Sequence, residues 1–146
     1  MQQKSYRTIW LSDLHLGSRN TNSDYLLDFL EHHDAEYLYL VGDIFDLWLL
    51  NSGWYWPAVN ERIVELVFAK CGNGTKVFYI PGNHDGALRR HVHTEIRGVQ
   101  LVPEAITALP TAVVFWCCTA TSSIRSPPTA PGWPGWAATL TNSCCG

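Results

Sequence analysis

The sequence predicts an α/β fold, a mostly parallel sheet with flanking helices. Three observations carry this. Apolar, β-rich runs recur at residues 7–11, 37–43 ("YLYLVGD") and 76–80 ("KVFYI"), with "VQLV" as a fourth. Stretches with helical apolar spacing lie between them, and strands separated by helices imply parallel pairing. The runs are apolar almost throughout, as strands covered on at least one face should be.

The elements follow in order. The first run ends in Ser12-Asp13. Asn22 or Ser23 then caps a helix whose apolar stripe is Tyr25, Leu26, Phe29 and Leu30. After the second strand comes a Trp-rich segment, residues 44–56, with Trp48, Trp54, Tyr55 and Trp56. Pro57 stands where a helix can start, and Ile63, Val64, Leu66, Val67 and Phe68 give that helix a wide apolar face. Gly72-Asn73-Gly74 ends it. A further short helix is expected over residues 87–93, before the fourth strand.

Composition narrows the function. A chain of 146 residues suits one modest core. A formal charge of −3 gives no general attraction to nucleic acid, and none is expected as a partner. The N-terminus lacks an apolar leader, and no apolar stretch approaches the ~20 residues that span a bilayer, so a cytoplasmic location is expected. The five Cys (Cys71 and the vicinal pairs Cys117-Cys118 and Cys144-Cys145) lack the C-x-x-C spacing of a zinc site. Without secretion signals they do not suggest a disulfide framework either.

Three strand ends carry chemistry: Asp13-x-His15, Gly42-Asp43-x-x-Asp46 and Gly82-Asn83-His84-Asp85. In a parallel sheet these ends share one edge, where ligands gather. Carboxylate, imidazole and amide oxygen suit divalent ions, and an aspartate can bridge two of them about 3.5–4 Å apart. Such a pair acidifies water and clamps a phosphate for in-line attack, while a nearby imidazole protonates the leaving oxygen. Each motif also has an ordinary reading. Asp13-x-His15 recurs by chance, Asp43 suits a turn, and Asp46 suits a helix cap. The three in order, each after a strand, favour the site.

The ordered set "DLH", "GDIFD" and "GNHD" resembles the calcineurin-like metallophosphoesterases. "RTIWLSDLHLGSR", "YLLDFL", "LYLVGDIFDLW", "GWYWP" and "IPGNHD" resemble the UDP-2,3-diacylglucosamine diphosphatase-like members in particular. The resemblance covers about residues 5–107 and implies the N-terminal part of an αββα sandwich. It also implies a two-metal hydrolase of phosphoric esters or anhydrides, with Mn2+ foremost and Fe2+, Zn2+ or Mg2+ as alternatives. By that resemblance Asp13 and His15 bind the first ion, Asp43 bridges, Asn83 binds the second, and His84 is the catalytic imidazole oriented by Asp85. Asp46 lies in the motif without a settled role. The implied substrate is a nucleotide-linked lipid, with peripheral contact at the inner membrane. The Trp-rich segment is then either an acyl wall or interfacial anchor, or an ordinary packing cluster. Arg19 is either a phosphate partner or a solvated loop charge.

The family completes its site with later "HGD" and "GHxH" blocks, and this chain has no His after His93. His91 and His93 match neither block and read as surface residues. The chain is therefore divided into 1–108, the N-terminal part of the phosphoesterase domain, and 109–146, a Pro/Thr/Cys/Trp-rich tail. After Glu104, Arg125 is the only charged side chain. The tail is expected to be poorly ordered and translated out of frame. One codon choice for residues 110–125, read two bases on, gives D-G-R-R-F-L-V-L-H-G-D-E-F-D-S, which holds the missing block. The encoding DNA tests this: codons that cannot yield that string exclude it.

Overall fold

The computed structural model describes residues 4–104 and the backbone of 113–117. Strand β1 (Lys4–Ser12) leads to helix α1 (Ser23–His32), which passes directly into β2 (His33–Val41). Helices α2 (Leu47–Ser52) and α3 (Ala58–Gly72) precede β3 (Lys76–Ile80). A 3₁₀ turn over Gly86–His91 stands where a helix over 87–93 was expected. A short hairpin of β4 (Glu95–Ile96) and β5 (Val99–Leu101) follows, and β6 is Val113–Cys117.

The strand order is β4-β5-β3-β2-β1-β6, and every pair is parallel except β4 with β5. The described residues thus supply one mostly parallel sheet with flanking helices. β6 falls within the tail and pairs with β1 in parallel. The rest of that tail, with the expectation of its disorder, lies outside the described residues.

Alternation along the strands sorts the side chains. Ile9, Leu11, Leu38, Leu40, Val77, Tyr79, Val99 and Leu101 are buried together with Leu26, Phe29 and Leu30 of α1 and Ile63 and Val67 of α3. Each fully buried Leu or Ile contributes about 1.5–3 kcal/mol. The intervening residues hold a ladder of rings: Trp10 stacks on Tyr39 at 4.2 Å, and Tyr39 on Phe78 at 5.1 Å. Asn22 occupies the N-cap of α1 without a side-chain cap bond. The Ser23 hydroxyl instead donates to Oδ1 of Asn60 at 2.6 Å and ties α1 to the first turn of α3. Lys70, buried at the far end of α3, donates from Nζ to the His33 carbonyl at 2.9 Å and pairs with Asp34. These contacts hold the helices on one face, so the strand tips project together beyond them.

Candidate functional site

Register places the motifs side by side. Ser12 is level with Val41, and Val41 with Ile80, so the next residues of all three strands emerge at one edge. The loops then continue the pairing. The Gly42 N–H donates to the Ile80 carbonyl (2.8 Å), Asp13 N–H to Gly42 (3.1 Å), His15 N–H to Asp43 (2.8 Å) and Leu16 N–H to Ile44 (2.9 Å). Three residues in this stretch adopt left-handed backbone: Asp13 (φ 53°), His15 (φ 48°) and Asp43 (φ 52°). Such conformations cost L-residues about 1–2 kcal/mol each. They cluster where surrounding structure enforces them, often at functional sites. Here Leu14, between Asp13 and His15, is buried in the core and anchors the turn.

Two groups of donors result. Ligand atoms of Asp13, His15 and Asp43 lie within 4.8 Å of one another, and so do those of His15, Asp46 and His84. Asp13, Asp43 and Asp46 are buried. Oδ1 of Asp43 also accepts the His84 backbone N–H at 2.7 Å, which fixes the third loop against the second. Asp46 lies between the two imidazoles, 3.5 Å from His15 Nδ1 and 3.2 Å from His84 Nδ1. Burial pushes the Asp46 carboxyl up, but the Leu49 N–H, His84 and His15 outweigh it and hold it below the ordinary value. The two rings meet edge-on, with centroids 4.6 Å apart at 88°. Trp48 stacks on the His84 ring at 4.2 Å.

The contacts of Asp85 differ from those expected. Its side chain is fully buried. Oδ2 accepts the Ile44 N–H (3.0 Å) and the Tyr79 hydroxyl, and Oδ1 accepts the Gly82 N–H (2.5 Å). Burial and the neighbouring Asp85 hold the Tyr79 hydroxyl protonated, its pKa raised well above the usual value. Asp85 therefore ties loop to loop, and the carboxylate beside the His84 ring is Asp46. Asp46 has its second expected use as well: Oδ1 accepts the Leu49 N–H at 3.0 Å and caps α2. Asn83 is exposed at the start of its loop, between Gly82 and His84. The Arg19 guanidinium lies over the Tyr55 ring, 4.6 Å from its centre. His91 and His93 are exposed, as expected.

The Trp-rich segment divides. Trp56 packs against the core, while Trp48 and Trp54 are 58% and 76% exposed, so the segment is not one packing cluster. Sequence reasoning missed Trp48 as a neighbour of His84. Its place two residues after Asp46 was the available signal. Two buried carboxylates and an imidazole within 4.8 Å form a donor set that fits a divalent cation. No described helix is long and apolar enough to cross a membrane.

The calcineurin-like phosphoesterase family model matches residues 6–125. Several curated relatives are UDP-2,3-diacylglucosamine hydrolases. That of Xanthomonas campestris pv. campestris (strain B100) is 30% identical over 101 residues, 66% of this chain and 39% of the relative. That of Actinobacillus succinogenes is 31% identical over 104 residues, 68% of this chain and 42% of the relative. That of Shewanella halifaxensis is 28% identical over 115 residues, 74% of this chain and 47% of the relative. The chain thus spans less than half the length of these relatives. No solved structure matches it. The family match covers all three strand-end motifs and the residues they bring together: this chain belongs to the calcineurin-like phosphoesterase family.

Proposed function

We propose that the chain hydrolyses a phosphoric ester or anhydride at the strand edge, with divalent cations, Mn2+ foremost, held by its own carboxylates and imidazole. The convergence of Asp13, His15 and Asp43 beside His84 carries this reading. Asp13, His15 and Asp43 would hold a first cation, and Asp43 with Asn83 would hold a second. When bound, the cations supply Lewis-acid polarisation of the phosphoryl group and acidify water. His84 protonates the leaving oxygen or offsets charge on the phosphoryl oxygens. Asp46, 3.2 Å from its Nδ1, fixes the imidazole tautomer. Trp48, stacked on the same ring, limits its movement. Asp85 acts through the backbone, holding the loop that bears His84.

The substrate we propose is the pyrophosphate of UDP-2,3-diacylglucosamine, cleaved to UMP and lipid X in lipid A biosynthesis. The names of the relatives support it. The exposed Trp48, which stacks on His84, and the exposed Leu49 and Trp54 that follow it in sequence suit acyl chains or a membrane surface, and Arg19 suits a phosphate. On this reading the protein works in the cytoplasm, peripheral to the inner membrane. Motifs shared across the family equally suit a broader phosphodiesterase or phosphatase. A second reading is an inert fragment that binds metal weakly. The exposure of Asn83, the proposed ligand of a second cation, favours it.

Turnover of bis-p-nitrophenyl phosphate with Mn2+ separates these readings. The enzyme reading requires turnover that Asp43→Ala abolishes. No turnover at any Mn2+ concentration leaves the inert fragment. UDP-2,3-diacylglucosamine cleaved well above the generic ester then supports the specific substrate.

A further inference from the structure

An apolar cavity lies between α3 and the sheet. Its volume is about 180 Å³, and no polar atom lines it. Well-packed interiors hold few voids larger than a water molecule. Water needs about two to four polar partners to stay in such a space. A cavity of about 150 Å³ lined by Leu, Ile and Phe stays dry and binds benzene, so this one fits an apolar group of about six or seven carbons. Its deep end lies against Leu14 and Ile44, beneath the strand-end loops. Its outer end lies against Phe68 and Ile96, and Ile96 is 48% exposed, so the cavity reaches solvent there.

The rim carries a cation. Ile96 and Val99 pair across a two-residue turn, Arg97-Gly98. Both turn residues are left-handed, at φ 50° and 90°, as a type I′ hairpin requires. Asn, Asp or Gly ordinarily fills the first of these positions. Arg97 bears the strain instead, and residues held in such backbone cluster at ligand sites. Its guanidinium lies over the Phe68 ring, 4.7 Å from the centre, and makes no ion pair among the described residues.

We propose that the cavity binds a straight-chain carboxylate of medium length, with the alkyl chain inside and the carboxylate on Arg97. The chain is the apolar group that the space fits. The guanidinium, already oriented by Phe68, offers a planar fork to the carboxylate. None of the strand-edge donors takes part, so the inference does not rest on the phosphoesterase reading.

The test uses the full chain and straight-chain carboxylates of increasing length, measured by calorimetry. Affinity should rise about fourfold per added methylene, the value of burying one. The rise should stop near octanoate, where the chain fills the space. A rise that continues unchanged through dodecanoate marks adsorption to the surface and overturns the site. Arg97→Gln should weaken octanoate binding about threefold to fivefold, the worth of a part-exposed ion pair, and leave octanol within about twofold. Val64→Phe, on the α3 wall, fills the cavity and should weaken both ligands at least about tenfold, the loss of burial of about two methylenes. Octanoate binding unchanged in either variant overturns the assignment. Should Val64→Phe fail to fold, methyl NMR of the wild-type chain decides. Octanoate should move the methyl resonances of Leu40 and Leu101, which line the cavity, and not those of Leu26, which lies in the core outside it. No movement at Leu40 and Leu101, or movement confined to the exposed Trp48 and Trp54 indoles, rejects the site.

Discussion

Nδ1 of His84 lies 3.2 Å from Oδ1 of Asp46, a residue from a different strand end. The carboxylate adjacent to it in sequence, Asp85, faces away into the protein and accepts from Ile44, Tyr79 and Gly82. The two carboxylates thus divide the work, one beside the His84 ring and one beneath the loop.

Removing Asp85 should therefore be felt in stability. Asp85→Ala leaves the Ile44 N–H, the Gly82 N–H and the Tyr79 hydroxyl without their acceptor, and each buried orphan costs about 1–3 kcal/mol. Urea unfolding should show a loss of about 3 kcal/mol or more, against a total of about 5–15 kcal/mol for a typical domain. Tyr79→Phe removes one donor and should cost far less. An Asp85→Ala midpoint equal to the wild type would contradict the bracing role.

Asp46 should appear in the pH dependence of stability. Its carboxyl lies below the ordinary value in the folded chain, because the Leu49 N–H and the two imidazoles outweigh burial. The unfolded group titrates near ~3.9. Its contribution is thus fully present above that pH and is lost as pH falls through it toward the lower folded value. In metal-free protein, Asp46→Asn should flatten the decline in unfolding free energy below about pH 4. Parallel curves for variant and wild type from pH 5 to pH 3 would reject the assignment.

The strand ends and their edge were legible in sequence because apolar runs punctuated by Gly and Asp fix both. "KVFYI" is β3 to the residue. The start of β2 was not legible. His33–Glu36 has Ala35 as its single apolar residue, and its pairing with Lys4–Tyr6 is supported from outside by Lys70 on the His33 carbonyl. Helix α2 was also hidden. Its six residues expose Trp48 and Leu49, so no buried stripe marks them, and the Asp46 cap is what starts the helix. The role of Asp85 escaped for another reason: sequence adjacency to His84 does not set the direction of a side chain.

Gly82 should be intolerant of any side chain. A Cβ there would stand 2.5 Å from the Asp43 backbone nitrogen, a contact that only backbone movement relieves. Overpacking of this kind costs about 1–3 kcal/mol. The displaced residue is the one whose carboxylate accepts the His84 N–H, so the shift reaches the donors directly. Gly82→Ala should lower both the thermal midpoint and Mn2+ affinity, whereas Gly53→Ala, with open space around it, should leave Mn2+ affinity intact. Calorimetric Mn2+ titration of the two variants checks this, and equal affinities would count against the packing argument.

Mn2+ itself should stabilise the fold. Asp13, His15 and Asp43 are brought together by pairing among strand ends that the unfolded chain lacks, so a cation held by them binds the native state selectively. Selective binding raises the unfolding free energy by RT ln(1 + [L]/Kd), about 2.7 kcal/mol at a hundredfold excess over Kd. The thermal midpoint should therefore climb with the logarithm of Mn2+ concentration. Asp43→Asn removes a charged donor from the set and should suppress most of the rise. His32→Ala, which alters an exposed pair with Asp28 on α1, should leave it unchanged. A midpoint that ignores Mn2+ in the wild-type chain, or that responds equally in Asp43→Asn, would mean that the converging side chains do not share a cation.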